Sequence, residues 1–158
     1  MRRKDREVKE FHKIKDIIEA CQCCRLGLCD DGKVYIVPLN FGYTFENKQW
    51  TLYFHSAKVG HKIDLMKKNQ YVGFEMDTNY QLKEGTFACQ YSSYYQSIIG
   101  QGRISFIDDL SQKEKALSLI MEHYTHQSDW EFSKDMMDAV CIFQLVVDEM
   151  SCKENIDG

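Results

Sequence analysis

The stretch of residues 52–69, LYFHSAKVGHKIDLMKKN, changes its hydrophobic period within one short turn. Leu52 and Phe54 alternate with Tyr53 and His55, and this period of two predicts a strand. After a small, polar turn the apolar residues are spaced as in a short helix that ends in lysines and an asparagine. A strand that passes directly into a helix fixes the position of that helix at the end of the strand, and the rest of the chain must pack around this unit.

The start of that predicted helix concentrates positive charge and hydrogen-bond donors. Lys58, His61 and Lys62 lie at or beside the first helical turn, and Ser56 adds a hydroxyl. Free backbone N–H groups and the positive end of the helix dipole favour an anion there, so the pattern is typical of a phosphate site. A corner whose lysines only face water is the alternative, because such lysines are common on surfaces.

Composition limits the class of protein. A chain of 158 residues with 44% hydrophobic and 13% aromatic residues suits one globular domain over residues 1–158. A net charge of -4 argues against a nucleic-acid partner, and no apolar run approaches the length that crosses a membrane. The N-terminus resembles neither a signal peptide nor an organellar presequence, so we expect a cytoplasmic location.

The cysteines indicate reduced thiols. Their number, seven, is odd, and their spacing shows no disulfide framework. Cys21 and Cys24 form a C-x-x-C spacing, but no second ligand pair follows it, so we expect no metal site.

The order of hydrophobic patterns predicts about six strands in short hairpin spacing and three helices. A helix is predicted over residues 10–22 and another over 111–124, with Ser111 and Glu114 as a capping box. A continuous strand is expected over residues 34–43, a turn over 79–84, a short strand over 85–90 and a final strand over 139–147. The termini, 1–9 and 151–158, are expected to be loose. This order fits a small antiparallel barrel, mainly β with peripheral helices.

Pro38 is the only proline of the chain and lies in the clearest predicted strand. It cannot donate to a strand ladder, so it marks either a sheet edge or a bulge. Backbone groups left free at such a point can bind a ligand, although an ordinary strand edge explains the residue equally well.

No known catalytic set is present in the sequence. Gly100 and Gly102 form a G-x-G without the third glycine of a dinucleotide fingerprint, and they indicate a close approach to the backbone. P-loop, nucleophile-elbow and H-E-x-x-H patterns are absent. A phosphate site beside a proline-interrupted strand suits a protein whose bound cofactor supplies the chemistry.

Several motifs, in order along the chain, resemble the pyridoxamine 5′-phosphate oxidase-like flavoproteins, and within them the 5-nitroimidazole reductase (nitroimidazole-resistance) branch. The similarity runs from residue 1 to about residue 154. The motifs are VPLNFGY (37–43), LYFHSAKVGHKIDLMKKN (52–69), VGFEMD (72–77), SIIGQGRISFIDD (97–109) and ALSLIMEHY (116–124).

The resemblance implies a six-stranded split β-barrel that binds flavin mononucleotide (FMN) and works as a homodimer, with each flavin at the subunit interface. It assigns the isoalloxazine ring to the backbone of Val37, Pro38, Leu39 and Asn40. It places His55 and Ser56 near the ring and the ribityl chain, and Lys58, His61 and Lys62 at the phosphate. It brings a third segment from the other subunit or the adjoining strand, through Ser97, Ile98 and Gly100. Many relatives carry arginine where this chain has His61.

The activity implied is electron or hydride transfer through the flavin to a small acceptor, such as the nitro group of a 5-nitroimidazole, with a nicotinamide as the candidate electron donor. His55 is the candidate for contacting the substrate or donating a proton. The alternative for His55 is a half-buried side chain bonded to a backbone carbonyl. The alternatives for the protein are a split barrel that stores or senses a flavin or another cofactor without turnover, and an oxidase like the family's namesake.

Overall fold

The computed structural model describes residues 3–156 as one antiparallel sheet carrying four α-helices. The strands are β1 (Glu7–Val8), β2 (Cys24–Asp30), β3 (Lys33–Leu39), β4 (Gly42–Glu46), β5 (Gln49–Ser56), β6 (Tyr71–Lys83), β7 (Ser92–Phe106) and β8 (Cys141–Asn155). The helices are α1 (Phe11–Ala20), α2 (His61–Lys68), α3 (Leu110–Thr125) and α4 (Lys134–Ala139). None of the helices in the described range is long and apolar enough to span a membrane.

The sheet curls into a barrel that is split along one seam. Its strand order is β3-β2-β6-β7-β8-β5-β4, with β1 added to β8, so β3 and β4 are the two edges. Only residues 40–41 connect these edges, and three residue steps span at most about 11 Å. The two edges therefore lie near each other without forming a ladder, which confirms the predicted antiparallel barrel with peripheral helices.

Side chains that alternate along the strands fill the barrel. Phe54 of β5 and Phe143 of β8 are fully buried and stack with their ring centroids 5.3 Å apart. On the outer face of the same strands, Tyr53 and Ile142 are covered by Ala116 of α3. Both faces of β5 are thus buried over most of its length, which holds the end of the strand rigidly.

The sequence predicts turns at residues 30–33 (DDGK) and 46–48 (ENK), and backbone geometry confirms both. Asp31 and Gly32 both have positive φ, 49° and 86°, and join β2 to β3 as a two-residue hairpin loop. Asn47 and Lys48, with φ of 52° and 64°, join β4 to β5 in the same way.

Pro38 lies on an edge strand, and the bulge interpretation is wrong. β3 pairs only with β2, and its register runs without interruption from Lys33 opposite Asp30 to Leu39 opposite Cys24. Hydrogen-bonded pairs alternate along such a ladder, so the nitrogen of Pro38 faces away from β2. The proline therefore removes no hydrogen bond from the sheet.

Several predicted boundaries are wrong. The single strand expected over 34–43 is divided into β3 and β4 at residues 40–41, and the strand count is eight rather than six in the described chain. The predicted turn at 79–84 lies largely in β6, whose register shifts between Thr78 and Gln81. The strand predicted at 85–90 is a loop with one 3₁₀ turn.

The helix caps and termini also differ from expectation. Asp109, not Ser111, caps α3, because its carboxylate accepts a hydrogen bond from the Gln112 N–H at 3.0 Å. Residues 151–155 continue β8, and Glu7–Val8 pair with Lys153 and Cys152, so these parts of the termini are not loose. Residues 1–2 and 157–158, which were also expected to be loose, lie outside the described residues.

The glycines of β7 are packed against β8. A β-carbon on Gly102 would lie 2.1 Å from the Val146 carbonyl oxygen, and one on Gly100 would lie 2.6 Å from the Glu149 carbonyl oxygen and from the Phe74 ring. The sequence predicted that other groups approach the backbone closely at Gly100 and Gly102, and this is confirmed. Within the chain, the approaching groups belong to the neighbouring strands β6 and β8.

We expect Gly102→Ala to destabilise the fold by about 1–3 kcal/mol, since the clash is with backbone that cannot move away. Urea unfolding followed by circular dichroism measures this loss. Gly73→Ala is the matched control, because its β-carbon would meet only an ordinary contact at 3.8 Å. Equal stability of the two variants would contradict the prediction.

Candidate functional site

The corner between β5 and α2 presents an uncapped helix start. Gly60, with φ of 131°, precedes α2, and no side chain caps the helix. The Gly60 carbonyl accepts hydrogen bonds from the N–H groups of Ile63 at 2.9 Å and Asp64 at 3.2 Å. The N–H groups of the first helical residues have no acceptor inside the helix, so they remain available to an external anion.

Two lysines at this corner are available to an anion. Lys58 is exposed and Lys62 is half-buried, and neither forms an ion pair within 4 Å among the described residues. Lys68, at the end of α2, is instead paired with Asp31 at 2.6 Å. The residues therefore fit a phosphate group, which free amides and unpaired ammonium groups bind together.

His61 is held by the β2–β3 hairpin. Its Nε2 lies 3.0 Å from the Asp30 carboxylate, and its ring meets the edge of Tyr35 with centroids 5.0 Å apart. A carboxylate partner orients the imidazole and leaves it less free to approach a phosphate. Lys58 and Lys62 are consequently the stronger phosphate candidates of the three predicted cations.

His55 and Ser56 end β5 and differ in exposure. His55 lies opposite Ile142 and reaches the surface, and no hydrogen bond to its ring is found in the described part of the chain. Desolvation by the surrounding protein lowers the pKa of His55 below its ordinary value. Ser56 is buried, and its hydroxyl donates to the Ala57 carbonyl at 2.9 Å.

The end of β3 lies beside this corner. Gly42 of β4 pairs with Tyr53 of β5 in an antiparallel ladder. Asn40 is two residues before Gly42 and His55 is two residues after Tyr53, so these two residues lie on the same side of the paired position and near each other. Pro38 and Asn40 are exposed, whereas Val37 and Leu39 are half-buried. Short connections at residues 40–41 and 57–60 join the elements that carry the segments 37–40, 55–56 and 58–62, and their contact with one cofactor stays a prediction.

Within one chain, the third predicted segment lies on β7, away from the end of β5. Phe143 of β8 pairs with Phe106 of β7 on one side and with Phe54 of β5 on the other, so these three residues lie at the same height in the sheet. Gly100 is six residues before Phe106 on β7, and Ser97 is nine residues before it. At about 3.3 Å per residue these positions are roughly 20–30 Å away along the strand. Ile98 is fully buried in the barrel. Contact of Ser97, Ile98 and Gly100 with the cofactor of a partner subunit stays a prediction.

The C-x-x-C cysteines lie in the core. Cys21 and Cys24 are fully buried, and burial raises the pKa of Cys21 to about 12. Thiolates, which bind metal or attack disulfides, are disfavoured at such a site. Over residues 3–156, no three His, Cys, Asp or Glu side chains converge as a metal-binding group.

The sequence interpretation missed His123, which is 4% exposed and lies on the buried face of α3. It follows Ala116 by seven residues and Ile120 by three, so helical spacing could have assigned it to that face.

The profile of a known family matches most of the chain. Residues 11–154 match the family described as pyridoxamine 5′-phosphate oxidase. The chain belongs to this pyridoxamine 5′-phosphate oxidase-like family. The resemblance stated from the sequence motifs is therefore confirmed, and no curated protein matches the chain significantly.

Solved structures agree with this assignment. A Bacteroides thetaiotaomicron VPI-5482 protein, provisionally assigned to 5-nitroimidazole antibiotic resistance, is 33% identical, with a TM-score of 0.80 over 94% of this chain and 86% of that one. The flavocytochrome Anf3 of Azotobacter vinelandii is 17% identical, with a TM-score of 0.79 over 99% and 72% of the two chains. An FAD and haem binding protein of Mycobacterium smegmatis is 13% identical, with a TM-score of 0.82 over 96% and 74%. At 17% and 13% identity, the similarity to the last two structures shows only that this chain shares their fold.

Proposed function

We propose that this member of the family is an FMN-dependent reductase of small acceptors, including the nitro group of 5-nitroimidazoles. The observation that carries the proposal is the corner where an uncapped helix start and two unpaired lysines adjoin an exposed, proline-containing edge strand. The 33% identity to the Bacteroides protein supports the choice of nitroimidazole as acceptor.

Each part of the FMN molecule is assigned to the protein groups at the corner that suit it chemically. Lys58, Lys62 and the first N–H groups of α2 hold the dianionic phosphate, which they suit by charge and by donor direction. Residues 37–40 line the flat ring, because the outer side of β3 has no partner strand in the described chain. When bound, the flavin supplies the electron or hydride transfer, and the protein orients the acceptor and excludes water.

FMN is favoured over a dinucleotide flavin on the basis of this corner. A terminal phosphate carries two negative charges and matches two lysines at a helix start, whereas the linked phosphates of FAD carry one each. FAD, which is named as a ligand of two more distant neighbours, is the competing cofactor.

His55 is proposed as the group that faces the acceptor. Its exposed ring stands at the end of β5, next to the segment assigned to the flavin ring. Desolvation lowers the pKa of His55 and so favours the neutral ring, which can donate a hydrogen bond from one nitrogen and accept at the other.

We expect the reduction of a nitro acceptor to become several-fold faster as pH falls through the lowered pKa of His55. Only the protonated ring can give up a proton and remain a neutral imidazole, and that form accumulates as pH falls toward the lowered pKa of His55. Steady-state rates from pH 5 to 8 measure the effect. In His55→Gln this dependence should disappear, and an unchanged pH profile in that variant would rule out the role.

A titration tests the proposed reaction. Purified protein loaded with FMN should be bleached at the flavin absorbance by a reduced nicotinamide and should regain its colour with a 5-nitroimidazole, in proportion to the acceptor added. Protein that binds FMN tightly but passes no electrons to the acceptor would instead indicate a storage or sensing module.

We further propose a cytoplasmic homodimer. Val34 and Ile36 on the outer edge of β3 are 74% and 62% exposed, although both are large and apolar. An exposed apolar edge strand with unpaired backbone groups is usually covered by another chain. Light scattering should give the mass of two chains, and a monomer that still holds flavin tightly would contradict the interface.

A further inference from the structure

A second concave site lies away from the flavin corner, between α1, β4 and α3. Its volume is about 500 Å³, within the usual range for small-molecule pockets. Trp50, which lines it, is six residues before Ser56, so the groove lies roughly 20 Å along β5 from the corner. The proposed flavin reaction does not use this groove.

A buried histidine in the groove has an unused hydrogen-bonding atom. His123 is 4% exposed, and its Nε2 lies 2.8 Å from the Cys21 carbonyl oxygen, which can only accept. Nε2 therefore carries the hydrogen, and in the neutral ring Nδ1 is an acceptor. Nδ1 is buried and has no hydrogen-bond partner among the described residues. Such an atom needs a donor from outside the chain.

Aromatic rings form one wall. Phe11, Phe45 and Trp50 lie with ring centroids 4.6–5.6 Å apart. Phe11 and Phe45 are 40% and 37% exposed, so their faces remain accessible. The faces of aromatic rings attract cations and stack on flat ligands.

The charged groups of the groove are mostly acidic. Glu19, Glu46 and Glu122 line it against a single lysine, Lys15. The Tyr43 hydroxyl donates to Glu19, and burial together with these carboxylates raises the pKa of Tyr43. Glu46 is paired with a lysine outside the groove, and the second oxygen of Glu19 lies 3.9 Å from Nδ1 of His126. Glu122 is therefore the main acceptor that a ligand would meet, and the carboxylate of Glu19 adds negative charge beside it.

We propose that this groove binds a small aromatic amine in its protonated form. The ring of the ligand stacks on the exposed aromatic wall, its ammonium group lies near Glu19 and Glu122, and an N–H donates to Nδ1 of His123. A cation that donates hydrogen bonds satisfies all three observations together, whereas an anionic aromatic could stack on the wall but would be repelled by the carboxylates.

Calorimetry on the flavin-loaded protein tests the ligand class with three indoles of similar size. Tryptamine, which is cationic, should bind with a Kd in the micromolar range. Tryptophol, which is neutral, should bind at least tenfold more weakly, and indole-3-propionate, which is anionic, should not bind. Absence of tryptamine binding, or equal binding of the three, would overturn the proposal.

Variants locate the binding. His123→Gln can still donate to the Cys21 carbonyl but places no acceptor at Nδ1, and it should lose most tryptamine affinity. Glu122→Gln is at the surface and should weaken binding about tenfold without affecting the fold. Glu114→Gln, an exposed carboxylate on α3 outside the groove, is the control and should bind as the unmodified protein does. Equal affinities of the Glu122 and Glu114 variants would reject the site, whatever the stability of the His123 variant.

Discussion

Replacing Lys62 with alanine is expected to weaken the binding of FMN by about 10- to 100-fold. A hydrogen bond to a charged group contributes about 1.5–3 kcal/mol, and each ~1.4 kcal/mol is a factor of ten in Kd. Lys62 is half-buried at the start of α2 and has no ion-pair partner within the described chain, so its charge is available to the phosphate. Fluorescence titration of flavin-free protein with FMN measures the change.

The control for this variant lies on the same helix. Lys68→Ala removes the same charge two turns later, where it is paired with Asp31 at 2.6 Å and 59% exposed. Because this charge is already paired and lies at the far end of the helix from the proposed phosphate position, FMN binding should change less than threefold. Unchanged FMN affinity and stoichiometry in Lys62→Ala would show that the phosphate is held elsewhere.

Replacing Phe54 with alanine is expected to destabilise the protein by about 3–5 kcal/mol. The side chain is fully buried and stacks on Phe143, so its removal loses the transfer free energy of a ring and leaves a cavity. A domain with a total stability of 5–15 kcal/mol would lose a large part of it. Urea unfolding of flavin-free protein, at one fixed protein concentration, measures the loss.

Phe87→Ala makes the same chemical change at a surface position. Phe87 is 66% exposed in the loop between β6 and β7, so the expected loss is below about 0.5 kcal/mol. Phe54→Leu should retain more than half of the stability lost in Phe54→Ala, because it fills most of the cavity. Similar midpoints for the Phe54 and Phe87 alanine variants would mean that β5 is not the centre of the core.

The predictions that succeeded depend on short stretches of chain. The Asp31–Gly32 turn is determined by two residues that tolerate positive φ, and α2 by the apolar spacing of eight residues. The edge position of Pro38 follows from its missing N–H group. Each of these signals acts within a few residues of its effect, so it can be recognised without knowing the fold.

The predictions that failed depend on distant partners. Residues 151–155 are largely polar and resemble a loose tail, yet they form a strand because β1 and β7 offer backbone groups on both sides. The strand over 34–43 ends early because the chain must cross the seam at residues 40–41 to reach β5. Backbone pairing carries little side-chain signature, so these outcomes are not visible in the sequence.

The sequence by itself determined the strand–turn–helix corner, its cations and the family to which the chain belongs, because local spacing and ordered motifs contain that information. Only the tertiary structure decided which of those cations are available. It places Asp30 against His61, leaves Lys58 and Lys62 without an ion-pair partner among residues 3–156, and carries Ser97 and Gly100 roughly 20–30 Å along β7 from Phe106, which is level with the end of β5. It also assembled the groove around His123 from three separate elements. The physical reason is that charge pairing and burial depend on residues brought together by the sheet, which are far apart in the chain.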